Sequence, residues 1–267
     1  MTDTPAESRP HCDDPHDPHD HTGHDHPPTG ADLVRDLVKG LSIQALLIPA
    51  IAVVLLVAIL PFAPVTPVPL LLGIGLGALQ LVSLVATSLF VARTRRQLAV
   101  NPGLVAVRSI VDEVLRIAAL LLALVLWPAS IRSELGVWIG AGCALVWLAL
   151  ATAQTVSTRR RIARPGEWSE EAVSTLLDQR VGARSTVVMR LLDVLGTVMF
   201  QVGATVLVIL SPVLAIGTTV LSIGTGLSTL VLHRRPPAER AGSPWAYAPL
   251  ALGALTLVLA TIGLLSL

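Results

Sequence analysis

Seven stretches of about twenty residues run through this chain almost without charge, near 41–62, 70–91, 114–131, 136–157, 191–210, 213–232 and 246–267. A hydrocarbon core about 30 Å thick is crossed by roughly 20 apolar residues in a helix. Each stretch is therefore long enough to span a bilayer, and only helices or closed barrels satisfy their backbone polar groups there. Continuous apolar runs of this length select helices. Charged residues make up 14% of the 267 positions, and mean hydropathy is +0.72. A water-soluble chain is about a quarter charged. The expected fold is all-α, a polytopic transmembrane bundle of about seven spans, arranged as three hairpins plus a C-terminal helix over 31–267. The lipid bilayer is the expected partner.

The boundaries between spans follow from proline and charge. A helix over 191–232 would be about 63 Å long, twice the bilayer core, so the chain must fold back, and Ser211-Pro212 is the natural place. The third span is placed at 114–131, with Arg116 in its first turn. Ahead of it, Arg108/Asp112 and Asp112/Arg116 are i,i+4 pairs that read as a separate interfacial helix. On this placement no ionisable residue lies near the middle of any span. In the connection 158–190, Ser169-Glu170-Glu171 followed by Val173, Leu176, Leu177 and Val181 reads as an amphipathic helix along the headgroups.

Arginines set the expected orientation. Arg35 and Lys39 precede the first span, and Arg93, Arg95, Arg96 and Arg108 separate the second from the third. Seven arginines, from Arg159 to Arg190, separate the fourth from the fifth, and Arg234, Arg235 and Arg240 separate the sixth from the seventh. The opposite connections carry Arg132 alone. The positive-inside rule then puts the chain in the cell membrane with its N-terminus cytoplasmic and its C-terminus outside. Phe62, Phe90, Trp127, Trp138, Trp245 and Tyr247 fall at span ends, as interfacial aromatics do. Each unit of two spans repeats a charged lead-in and a closing arginine cluster, a pattern any positive-inside hairpin chain produces.

Residues 1–30 are of another character: acidic, proline-rich, without an apolar core of their own, and expected to be a disordered cytoplasmic tail. The segment HCDDPHDPHDHTGHDH at 11–26 places His11, Cys12, His16, His19, His21, His24 and His26 within reach of one ion. Neutral imidazole and thiolate suit zinc or nickel, so a divalent transition metal is the expected ligand of the tail. The two cysteines, Cys12 and Cys143, lie in the tail and in a span and form no disulfide framework.

Chemistry inside the spans is sparse. Gln80 and Gln201 are the midplane polar residues, and an amide in hydrocarbon needs a partner on another helix or on a substrate. Small residues recur every four positions at Gly73/Gly77, Gly136/Gly140/Ala144 and Thr218/Ser222/Gly226, which lets helix backbones approach closely. There is no HExxH and no GxSxG motif, and Glu170-Glu171 lacks the arginine that follows it in paired-glutamate membrane proteases. The one lysine, Lys39, lies outside the spans. No enzyme and no nucleic-acid partner is expected, and no protein partner is indicated. A transporter or transport-accessory protein with a metal-binding tail is the first expectation; a non-transporting scaffold or regulatory subunit is the second.

Overall fold

The computed structural model describes residues 30–62, 67–93, 102–163 and 183–266; the histidine-rich tail and the expected 169–181 helix lie outside them. Among the described residues seven long helices account for nearly all of the chain: α1 (Gly30–Ile59), α2 (Pro67–Arg93), α3 (Pro102–Leu126), α4 (Arg132–Ile162), α5 (Ala183–Leu210), α6 (Leu214–His233) and α7 (Ala248–Leu265). A one-turn helix, Pro237–Arg240, and a 3-10 turn, Pro244–Ala246, join α6 to α7. Six of the seven, all but α3, are long and apolar enough to cross a membrane. The protein is an integral membrane helical bundle.

Proline places most of the boundaries. Pro67 and Pro102 are the first residues of α2 and α3, where a missing N–H costs nothing. Pro128 stops α3, whose last turn closes through the Trp127 N–H on the Ala123 carbonyl at 3.0 Å. At the fold-back after α5, the Ser211 N–H still reaches the Leu207 carbonyl at 3.0 Å. Ser211 and Pro212 then offer their carbonyls to Leu214 and Ala215, starting α6.

The helix at the expected third span is not where the apolar run suggested. Instead of an interfacial helix followed by a span at 114–131, one continuous helix of 25 residues runs from Pro102 to Leu126. Its centre therefore carries Glu113 and Arg116. The helix is inside out. Val107, Ile110, Val114, Leu121 and Val125 face outward, while Ser109, Glu113, Arg116, Leu120 and Ala123 are buried against its neighbours. An apolar exterior with a charged interior is what lipid as solvent selects.

Helices α4 and α5 form the middle of the bundle and are the most buried of the apolar helices. They cross antiparallel, with α1 and α2 against α4, α7 and α6 against α5, and α3 between α2 and α6. The most extensive contacts lie between α2 and α4, α4 and α5, and α5 and α7, rather than within consecutive hairpins. Glycine makes these crossings. A Cβ on Gly142 would lie 2.3 Å from the Leu70 carbonyl, and one on Gly253 would lie 2.3 Å from the Gly196 carbonyl. Gly136 and Gly140 meet Val206 and Val202 of α5 in the same way, and Gly226 of α6 meets Val105 of α3. The small-residue rows of α2, α4 and α6 thus pack inside the monomer. The tightest contact of α7, through Gly196, Gly203 and Gly253, had no four-residue row to announce it. Trp138, near the start of α4, is 8% exposed and packs with Ile59, Ala141, Val206 and Ala260.

Candidate functional site

Halfway along the bundle, side chains from five helices converge. Gln80 is thirteen residues from either end of α2, and Trp147 is fifteen from either end of α4. Opposite them, α3 presents Glu113 and Arg116, which are 2% and 1% exposed. Arg116 Nη1 donates to Glu113 Oε1 at 2.6 Å, and Nη2 donates to Gln201 Oε1 of α5 at 2.7 Å. The second carboxylate oxygen of Glu113 accepts from the Thr218 hydroxyl of α6 at 3.1 Å. The guanidinium also lies over the Phe200 ring, 5.4 Å from its centroid.

The amides extend this pair across the bundle. Gln201 Nε2 donates to Gln80 Oε1 at 3.4 Å, and the same oxygen accepts from the Trp147 indole at 3.2 Å. Cys143 Sγ lies 3.3 Å from Gln80 Oε1 and 3.4 Å from Gln201 Oε1; its single S–H serves one of them at a time. Gln80 Nε2 donates to the Asp112 carbonyl at 3.4 Å, and Thr205 donates to the Gln201 carbonyl at 2.6 Å. Two ionised groups withdrawn from water are costly, and only mutual attraction with further hydrogen bonds offsets that cost. Here those bonds come from Gln201 of α5 and Thr218 of α6, and Gln80 of α2 with Cys143 of α4 hold Gln201 in turn, so the ion pair is fully satisfied only when these helices are assembled.

A cavity of about 320 Å³ abuts this cluster. Its inner end is Arg116, Trp147, Phe200 and Gln201. Its walls continue through Leu84, Arg108, Asp112, Gln154, Arg190 and Asp193. Each of these residues lies between the middle of its helix and the end from which an arginine-rich connection leaves or arrives. The cavity therefore occupies the half of the bundle nearer those connections. Arg108 Nε and Asp112 Oδ2 are 3.7 Å apart, and Arg190 pairs with Asp193 at 3.5 Å while also donating to Gln154. Ser222 and Thr225 of α6 add hydroxyl groups to the lining.

Gln80 and Gln201, the two residues that sequence picked out inside the spans, are thus joined directly, with Cys143 between them. Glu113 and Arg116 were missed as a mid-depth pair, because the placement of the third span put the charges at its edge, and Thr218 was read only as part of a packing row. Gln44 was missed as well: it is 3% exposed, and its Nε2 reaches the Val187 carbonyl of α5 at 3.2 Å. His11, Cys12, His16, His19, His21, His24 and His26 lie outside the described residues, among which no group of three His, Cys, Asp or Glu side chains stands close enough to hold a metal. No protein-family model, curated protein or solved structure matches the chain.

Proposed function

We propose that this protein is a transport protein, or the membrane subunit of one, in which α3 is a seventh crossing helix and the cavity is a solute site open to the arginine-rich side. That side is the cytoplasmic one on this reading, with the C-terminus outside. A carrier, not an enzyme, is the class proposed. The observation that carries it is a cavity lined by three arginines and two aspartates that ends on a buried ion pair at mid-depth. Ionisable residues at that depth are expensive and mark solute or ion pathways. A scaffold packed only for stability gains nothing from an unfilled space of this size, with charged side chains on its wall, beside them.

Cysteine accessibility tests the reading. In a variant lacking Cys12 and Cys143, Thr197→Cys or Ser222→Cys on the cavity wall should react with a membrane-impermeant thiol reagent applied from the cytoplasmic side. Val125→Cys on the outer face of α3, 83% exposed but to lipid, should not. If both cavity positions resist the reagent from either side, the cavity is closed to water and the scaffold reading replaces this one.

The tail is assigned a separate role. Its histidines and Cys12 are proposed to bind zinc or nickel, while the three arginines of the cavity oppose a bare divalent cation there. Metal is thus a ligand of the tail and not the cargo of the cavity. In the full-length protein, calorimetry should show zinc binding with affinity on the order of micromolar, weakening below about pH 6.5 as imidazoles take up protons. Changing His19, His21, His24 and His26 together to alanine should nearly abolish it, whereas His21→Ala alone should weaken it only slightly. Equal binding by the wild type and the quadruple variant would remove the tail from the proposal.

A further inference from the structure

Five buried side-chain atoms among the described residues lack a hydrogen-bond partner: Arg108 Nε, Asp112 Oδ1, Arg116 Nε, Glu134 Oε2 and Ser243 Oγ. Three of the five belong to residues that line the one cavity described above. Buried polar atoms are rarely left unpaired, and three of them on residues that wall one cavity mark the place where water or a solute would be held. The chemistry of these three is specific. Two are guanidinium N–H donors and the third is a carboxylate acceptor, so the partner must both accept and donate.

Charge narrows the class further. The lining carries three arginines and two aspartates, and Glu113, directly behind Arg116, cancels the remaining charge. A simple anion would face Asp112, which lies one helical turn from Arg108 and another from Arg116. A simple cation would face three guanidinium groups. A dipolar solute fits both. Resting on the reading of the cavity as a solute site, we propose that its ligand is a small zwitterion of the amino-acid type, with its carboxylate towards Arg108 and Arg116 and its ammonium group towards Asp112. Guanidinium matches a carboxylate in geometry as well as charge. Trp147, Phe200, Leu84 and Val198 supply an apolar wall for a side chain. About 320 Å³ is at the small end of ligand pockets.

The test is direct binding to the full-length protein in lipid nanodiscs, with three probes: leucine, 4-methylpentanoate, which lacks its amine, and isopentylamine, which lacks its carboxylate. Leucine should bind, and each half-molecule should bind at least about tenfold more weakly, since each leaves one set of buried groups unpaired. Asp112→Asn should weaken leucine by about tenfold while leaving the carboxylate probe as strong or stronger, and Arg108→Gln should weaken both. These two side chains are 16% and 34% exposed, so the variants spare the fully buried pair; a thermal melt of each confirms folding. Equal affinity for leucine and the carboxylate makes the ligand an anion and overturns the proposal, as does the absence of binding by leucine and a panel of glycine, alanine, serine and glutamine. If the cavity cysteines react with aqueous reagent and no amino acid protects them, the zwitterion fails while the solute site stands.

Discussion

Glu113→Ala should destabilise the bundle by about 3–5 kcal/mol, the usual cost of breaking a buried ion pair from one side. The reason lies with the residue left behind. Arg116 is 1% exposed and cannot shed its proton, so without Glu113 its charge stays buried with one fewer partner. Thr218 loses the carboxylate oxygen that accepts its hydroxyl. The double variant Glu113→Gln/Arg116→Gln should recover a substantial part of the loss, because neutral amides of similar length remove both charges together. Unfolding in mixed micelles, measured for the single variants and the double variant, gives the coupling energy directly. Arg132→Ala, at an exposed helix start, should change stability by less than about 0.5 kcal/mol. Near-additive single effects would mean that the pair is not coupled as its 2.6 Å contact requires.

A second large effect belongs to the crossing of α5 and α7. Gly253→Val should cost several kcal/mol and detach α7, since its Cβ alone would sit 2.3 Å from the Gly196 carbonyl and 3.0 Å from the carbonyl carbon. Backbone, unlike a flexible side chain, does not yield to such overlap, and ordinary overpacking already costs about 1–3 kcal/mol. Gly75→Ala and Gly217→Ala are the matched controls. Neither Cβ would meet an atom within 4 Å, so both should be neutral or stabilise their helices by up to about 1 kcal/mol. A protease site introduced before α7 would report detachment; equal protection in Gly253→Val and wild type would show that α7 is held by something other than this crossing.

Much of this fold is legible in the sequence because the bilayer allows so few solutions. Length and hydropathy locate six helices to within a few residues at their apolar cores, and Pro212 marks the one place where two of them could be read as one. The third helix lies elsewhere than its apolar run suggests, and Pro128 is the reason. The apolar run extends through Pro128 to residue 131, but a helix interior does not tolerate that proline. Ending the helix before Pro128 forces its start back to Pro102 and brings Glu113 and Arg116 to the centre. The spacing Ser109, Glu113, Arg116, Leu120, Ala123 then traces one face, with Val107, Ile110, Val114, Leu121 and Val125 opposite. The signal was present as a periodicity, not as a composition. What sequence could not supply was the choice of partners. Gln201 and Thr218 lie 85 and 105 residues beyond the groups they bind, and Gly196 meets Gly253 without a repeated row of small residues.

The charged inner face of α3 has a consequence for how the protein is made. Four ionisable residues within nine positions make α3 a poor substrate for insertion by itself, since each such residue at a helix centre costs about 2.5–3.5 kcal/mol on translocon scales. Gln80 precedes α3 on the ribosome, but Gln201 and Thr218 follow it. In a chain whose third helix crosses the bilayer, α3 must therefore wait, near the translocon or at the membrane surface, until α5 and α6 have emerged. Its seating is the step that distinguishes a completed bundle from a partial one, and in a chain stalled before that step Arg116 has only Glu113 of its own helix, without Gln201 and Thr218, to offset its charge.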